Sequence, residues 1–256
     1  MQDLIGLYNS QPLGNWLIAL GFNTLLVAIA LFLPRKALTT AGIVHAWFLG
    51  ITLWGCVGWQ GYAIMFCYLI LGTGITYIGK DIKTAKGIAE KRKGARGPEN
   101  LWGSALTGTV CAIGYAFLPH PFWLLAYTAS IATKLSDTTA SEIGKAYGKT
   151  TYLITTLKPV PAGTEGAISL EGTVAGIVGS LTIAAIALLV GILVNPLEIA
   201  WCAIAAFVAT NLESLIGATL QAKWNWLTNE VVNGINTAIG AIVAVLLAVA
   251  WAAIVS

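Results

Sequence analysis

What most constrains this chain is a succession of apolar stretches, each near the roughly 20 residues that a membrane-spanning helix needs. Eight are legible: Asn15–Leu33, Thr40–Val57, Gln60–Gly79, Leu101–Leu118, Pro121–Ser141, Glu171–Val194, Leu197–Leu220 and Ile235–Val255. In lipid every backbone N–H and C=O must be paired internally, so these segments predict helices, not an open sheet. Composition excludes the soluble alternative: 57% of residues are hydrophobic and 10% charged, where a soluble domain carries about 25% charged residues. The expected fold class is an all-α, polytopic integral membrane protein, with residues 1–256 forming one membrane-embedded domain.

The connections sort by length and by charge. Gly58–Trp59, Pro119–His120 and Asn195–Pro196 are short; Pro34–Thr39, Lys80–Asn100, Glu142–Leu170 and Gln221–Gly234 are long. Alternating spans put the long connections on one face. Of the 14 Lys and Arg residues, all but Lys134 fall in or beside those long connections, including Arg35, Lys36, the Lys80–Arg96 run and Lys223. The positive-inside rule then predicts that this face looks toward the cytosol or a plastid stroma, with both termini on the other side. Met1–Gln11 has neither a basic region nor a cleavage site, so no removable signal peptide is expected. Cys56, Cys67, Cys111 and Cys202 lie in apolar segments and are expected to be inert.

A few polar residues do not fit a purely lipid-facing role. Thirteen residues, Pro121 to Thr133, rise about 20 Å through a hydrocarbon core about 30 Å thick. Lys134 therefore lies about 10 Å beneath the basic face, with Asp137 nearer to it. The same count from Leu197 brings Asn211 and Glu213 to a similar depth. Charges within a span are functional candidates by default, although Lys134 and Asp137 could also be a pair that merely neutralises itself.

Lys134, Asp137, Ser141 and Lys145 share one helical face, with Glu142 on a neighbouring stripe. Asp137, Ala140, Gly144 and Gly148 form the pattern D-x-x-A-x-x-x-G-x-x-x-G. Its small residues either let another helix approach closely or admit phosphates, while Asp137 and Glu142 hold a divalent metal. Downstream, Glu165-Gly166 and Glu171-Gly172 sit in a Gly/Pro loop that enters the sixth span. That loop is either an ordinary turn or a source of backbone donors and metal-binding carboxylates at a helix N-terminus. The Lys80–Arg96 run reads as a solvated face against anionic lipid, with phosphate attraction as the alternative. Gly74-x-x-x-x-Gly79-Lys80 is rejected as a P-loop, because Asp81 stands where Ser or Thr is required.

The run TKLSDTTASEIGKAYGKTTYLITTLKPVPAGTEGAISLEGTVAG closely resembles the membrane family that contains the phytyl-phosphate kinase of tocopherol and phylloquinone synthesis. KALTTAGIVHAWFLG, ATNLESLIGATLQ and LTNEVVNGINTAIGA extend the resemblance over most of the chain, nearest to plastid and cyanobacterial-type members. The Asp137 pattern followed by Glu171-Gly172-Thr173 is similar, more distantly, to CTP-dependent polyprenol kinases and phosphatidate cytidylyltransferases.

This resemblance implies phosphoryl transfer from a nucleoside triphosphate, CTP first among them, to phytyl phosphate or a related isoprenoid monophosphate, with Mg²⁺. Lys134, Asp137 and Lys158 would be catalytic. Ser141, Gly144, Lys145, Gly148, Gly166, Gly172, Thr173 and Asn211 would hold nucleotide or phosphate. Asp137, Glu142, Glu165, Glu171 and Glu213 would be the metal-side carboxylates. The expected setting is a cyanobacterial or plastid-type membrane, with no nucleic-acid partner and a homo-oligomer left open. A prenyl-alcohol kinase, a cytidylyltransferase and a lipid-phosphate or ion-coupled transporter are the alternatives.

Overall fold

The computed structural model describes residues 12–32, 38–89, 97–221 and 223–255. Arg35, Lys36, Lys91, Arg92, Lys93 and Arg96, and the expected placement of Met1–Gln11, fall outside the described residues. Within them the regular structure is helical apart from one small strand pair. In order come α1 (Pro12–Phe32), α2 (Thr40–Tyr77), α3 (Lys80–Ala85), α4 (Pro98–Phe117), α5 (Pro121–Tyr147), β1 (Tyr152–Leu153), β2 (Ala167–Ile168), α6 (Leu170–Leu189), α7 (Leu197–Ile216) and α8 (Asn229–Val255). A π-helical turn, Gly217–Gln221, prolongs α7.

α2 has 38 residues and would run about 57 Å if straight, nearly twice the hydrocarbon thickness. It reverses instead at Gly58, whose φ of 69° and ψ of −177° are not helical. Only glycine enters that backbone region without a steric penalty. The reversal brings the rings of Trp54 and Tyr62 to 5.2 Å between centroids. The two arms of α2 are therefore the expected second and third spans, joined at the expected place.

Among the described residues, five helices are long and apolar enough to cross a membrane: α1, α2, α6, α7 with its π turn, and α8. α4 and α5, at 20 and 27 residues, are also long enough but more polar. α5 can be polar because it is the central helix, covered by its neighbours and not by lipid. Along it Leu125, Tyr127, Ile131 and Leu135 are buried, and so are Thr128, Ser130, Thr133 and Ser136. With the two arms of α2 counted separately, the described residues hold eight long helical arms.

Helix starts follow local chemistry. Pro98 and Pro121 occupy first-turn positions where a missing N–H is harmless. Thr39 caps α2 by accepting from Gly42 N at 3.1 Å, and Ser169 caps α6 by accepting from Gly172 N at 3.1 Å. Two helices pass beyond their apolar stretches. α5 continues to Tyr147, not Ser141, and α8 begins at Asn229, not Ile235. Their additional turns bring polar residues, Glu142 and Lys145 on α5 and Asn233 on α8, to a cavity at one end of the bundle.

The described parts of the long connections meet at that same end. A Cβ on Gly163 would lie 2.7 Å from Ile88, and one on Gly166 would lie 2.5 Å from Ala218. Lys86 Nζ donates to the Lys145 carbonyl at 3.2 Å, and Asn100 Nδ2 to Glu230 Oε1 at 3.0 Å. All four cysteines are free thiols.

Candidate active site

At this end of the bundle a cavity of about 280 Å³ opens between α5, α6, α7, α8 and the loop between Tyr147 and Leu170. α5 supplies its floor. Lys134 Nζ lies 2.5 Å from Asp137 Oδ2 and donates to Asn233 Oδ1 at 2.6 Å. The Lys134 and Asp137 side chains are only 8% and 15% exposed. Glu213 comes across from α7 to line the same cavity as Asp137. From α8, Asn236 Nδ2 donates to Glu213 Oε2 at 2.9 Å. One ammonium thus shares the cavity with two carboxylates from different helices, and two amides, the half-buried Asn233 and the buried Asn236, hold the arrangement in place.

The opposite wall is the start of α6. Ser169, Gly172, Thr173 and Gly176 line the cavity there, at the positive end of a helix of 20 residues. That end can approach α5 because glycines leave room for it. A Cβ on Gly172 would lie 2.6 Å from the Ala140 carbonyl, and one on Gly144 would lie 3.1 Å from Ser169 Oγ. The glycine stripe is therefore a helix–helix contact in the first instance. Gly144 and Gly172 also line the cavity, whereas Gly148 packs on Gly144 and Ser169 outside it.

The loop closes the third side. β1 and β2 pair antiparallel, Tyr152 opposite Ile168 and Leu153 opposite Ala167, which folds the intervening turns back over the cavity. Gly163 and Gly166 have φ of 87° and 74°, a left-handed region that other residues enter at a cost. Gly163 through Ser169 line the opening, with Glu165 among them. Gly217 of the π turn is 3.7 Å from Glu165 Oε2, measured from its ideal Cβ. Such turns recur at functional sites because they shift one helix face by a residue.

Most of the residues expected from the sequence converge here: Lys134, Asp137, Ser141, Glu142, Lys145, Glu165, Asn211 and Glu213 all line the cavity. Lys158 is exposed and Glu171 half-buried, and neither lines it. Glu142 is engaged by Lys83 in a buried ion pair, and Lys83 also donates to the Thr76 carbonyl at 2.8 Å. Reading the Lys80–Arg96 run as a solvated face missed this, since Lys83 is 1% exposed. Asn233 and Asn236 were missed too. The available signal was that Asn229, Asn233 and Asn236 recur at helical spacing in an otherwise apolar helix, a row of amides that lipid would not favour.

Among the described residues, no group of three or more His, Cys, Asp or Glu could hold a metal ion unaided. The adjoining Asp137 and Glu213 do fit Mg²⁺, which is commonly bound by one or two carboxylates together with substrate phosphates.

Helices with a charged, amide-supported cavity at one end define a polytopic membrane protein with a shallow polar site. The chain belongs to the integral membrane protein family DUF92, whose profile matches residues 23–241. It is 57% identical over 233 residues to the uncharacterized membrane protein sll0875 of Synechocystis, covering 90% of each chain. It is 44% identical over 242 residues to Protein VTE6, chloroplastic, of Arabidopsis thaliana, covering 91% of this chain and 72% of that one. An uncharacterized membrane protein of Methanocaldococcus jannaschii, MJ0933, is 32% identical over 234 residues, 90% of this chain and 95% of its own. No solved structure matches.

Proposed function

We propose that this protein is a phosphotransferase of the phytyl-phosphate kinase type, transferring the γ-phosphoryl group of a nucleoside triphosphate to an isoprenoid monophosphate. The observation that carries the reading is Lys134 set against Asp137 and Glu213 in a cavity whose other wall is a helix N-terminus. The resemblance of residues 133–176 to that kinase family and the 44% identity to a chloroplast protein support it.

In the transfer, an oxygen of the prenyl monophosphate bonds to the γ-phosphorus as the bond from that phosphorus to the β–γ bridging oxygen breaks. The products are the prenyl diphosphate and a nucleoside diphosphate. The acceptor oxygen is already ionised, so no strong base is needed, and catalysis rests on positioning and charge neutralisation. Lys134 neutralises phosphate oxygens from below. Lys145 does so from the rim. The Gly172 and Thr173 end of α6 presents backbone donors and a positive dipole to the phosphates. Asp137 and Glu213, with Glu165 on the loop, would hold Mg²⁺, which when bound supplies neutralisation of the triphosphate. Glu142 serves this site through its pairing with Lys83, which fixes the end of α5. The charged face would look to the cytosol or stroma, where nucleotide is found.

The test is transfer in detergent with Mg²⁺, phytyl phosphate and each nucleoside triphosphate in turn. Diphosphate formed with at least one nucleotide, and lost in Asp137→Asn without loss of the folded state, supports the reading. No diphosphate from any nucleotide sinks it. A CDP-linked lipid, or phosphorylation of free phytol, would move the assignment to a cytidylyltransferase or a prenyl-alcohol kinase.

A further inference from the structure

A second cavity of about 600 Å³ lies between α1, the two arms of α2 and the start of α4. Its size is that of an ordinary small-molecule site. Its walls are apolar, with Leu26, Val27, Leu49, Leu53, Met65 and Leu69 among them. One end is closed by Asn23 and Tyr62. Tyr62 Oη donates to Asn23 Oδ1 at 3.1 Å, and Asn23 Nδ2 donates to the Ala19 carbonyl at 2.9 Å. These polar groups are already bonded to each other and to backbone, so this end offers little to a head group. Another part of its wall is different in kind: Tyr68, Asn100 and Ser104 line this cavity and the charged one alike. The two spaces therefore adjoin at three polar side chains, apolar on one side and charged on the other.

That shape matches an amphiphile with a charged head and a long hydrocarbon tail. We propose that the α1–α2–α4 cavity holds the prenyl tail of the phosphate substrate, which passes Tyr68, Asn100 and Ser104 so that its phosphate lies beside Lys134. The proposal rests on the phosphoryl-transfer reading for the identity of the head group. The lining extends along the second arm of α2 from Tyr62 to Tyr77, about 22 Å, of which the part between the junction at Tyr68 and Tyr62 is about 9 Å at 1.5 Å per residue. A tail moving from lipid to protein gains little from the hydrophobic effect, since lipid is already apolar. The cavity instead supplies orientation and selection by length, with the Asn23–Tyr62 pair as the stop. α1 is the outer wall, and its packing is chiefly on α2, so the tail enters sideways from the bilayer between α1 and its neighbours.

The experiment uses the full chain in lipid nanodiscs and phytyl phosphate with a diazirine near the tail end. Crosslinks mapped to cavity residues of α1, α2 and α4, displaced by excess phytyl phosphate but not by phosphatidylglycerol, support the proposal. Crosslinks confined to outward faces such as Leu181 of α6, or displacement by phosphatidylglycerol equally well, overturn it. Crosslinks in the cavity with no turnover under any nucleotide uphold the tail site and sink the kinase reading alone.

Filling the cavity gives an independent readout. A Cβ on Gly74 would meet nothing within 4 Å, so Gly74→Phe adds bulk at this wall without a backbone clash. It should lower kcat/KM for phytyl phosphate relative to dimethylallyl phosphate by about tenfold or more. Gly21→Phe, on an exposed part of α1 that also has nothing within 4 Å, should leave that ratio unchanged. An unchanged ratio in Gly74→Phe, with the variant folded, overturns the proposal.

Discussion

The ammonium of Lys83 is paired with the carboxylate of Glu142, and the two side chains are 2% and 3% exposed. The pair ties the short helix α3 to the last turns of α5, next to the charged cavity. Removing one partner leaves a lone buried charge, which costs about 3–5 kcal/mol, whereas replacing both by apolar groups is often neutral. Lys83→Met should therefore lower the unfolding temperature in detergent, and Lys83→Met combined with Glu142→Leu should restore most of it. Thermal unfolding of the two single variants and the double variant measures the coupling. Additive losses would show that the pair contributes nothing.

Among the described residues Lys134 is the one ammonium on the cavity floor, and Asp137 and Asn233 both hold it. Lys134→Met should cut phosphoryl transfer by about 10²–10³, the usual effect of removing one preorganised charge-stabilising group. Asn233→Ala should cut it less, because Asp137 still fixes the ammonium. Equal losses in the two variants, read from initial rates of labelled phosphate transfer, would mean that Asn233 has a role of its own.

Asn236 is fully buried and donates to Glu213, while its Oδ1 has no hydrogen-bond partner among the described residues. Asn236→Leu removes the donor that orients Glu213. If Glu213 holds Mg²⁺, the concentration needed for half-maximal rate should rise about 10–100-fold, as when outer partners of metal ligands are lost. The stability change should be small, because the orphaned oxygen leaves with the amide. A Mg²⁺ titration of the rate decides it.

Gly166 has φ of 74°, and a Cβ there would stand 2.5 Å from both Ala218 Cβ and the Ser214 carbonyl. Gly166→Ala should move the loop off the π turn and cost about 1–2 kcal/mol from the backbone alone, before the clash. Both turnover and unfolding temperature should fall. Gly163→Ala, which meets only the side chain of Ile88, should be milder in both.

The membrane class, the helical content, the reversal at Gly58 and the meeting of Lys134, Asp137, Asn211 and Glu213 at one level of the bundle, where they line one cavity, were legible in the sequence. They depend on quantities that run along one dimension: apolar length, rise per residue and bilayer thickness. Helix ends were less legible, because α5 and α8 carry polar turns that only an interior cavity can accommodate. The D-x-x-A-x-x-x-G-x-x-x-G pattern could not say whether its glycines face a helix or a ligand, since both need the same bare surface. Packing decided it, with Gly144 against the start of α6 and Gly148 outside the cavity.

Partnership across the chain was decided by the tertiary structure alone. Nothing local distinguishes Lys83 from its neighbours in a basic run, yet it alone among the described lysines of that run is buried against Glu142. Asn236 looks like a stray amide until α8 lies beside α7 and it reaches Glu213. Lys158 and Glu171 have the right chemistry in the right loop, and the turns around them leave both out of the cavity lining. A sequence determines which groups lipid will not tolerate and at what depth they lie. Which of those groups meet depends on how the helices rotate and pack, and that is fixed by contacts between residues tens of positions apart.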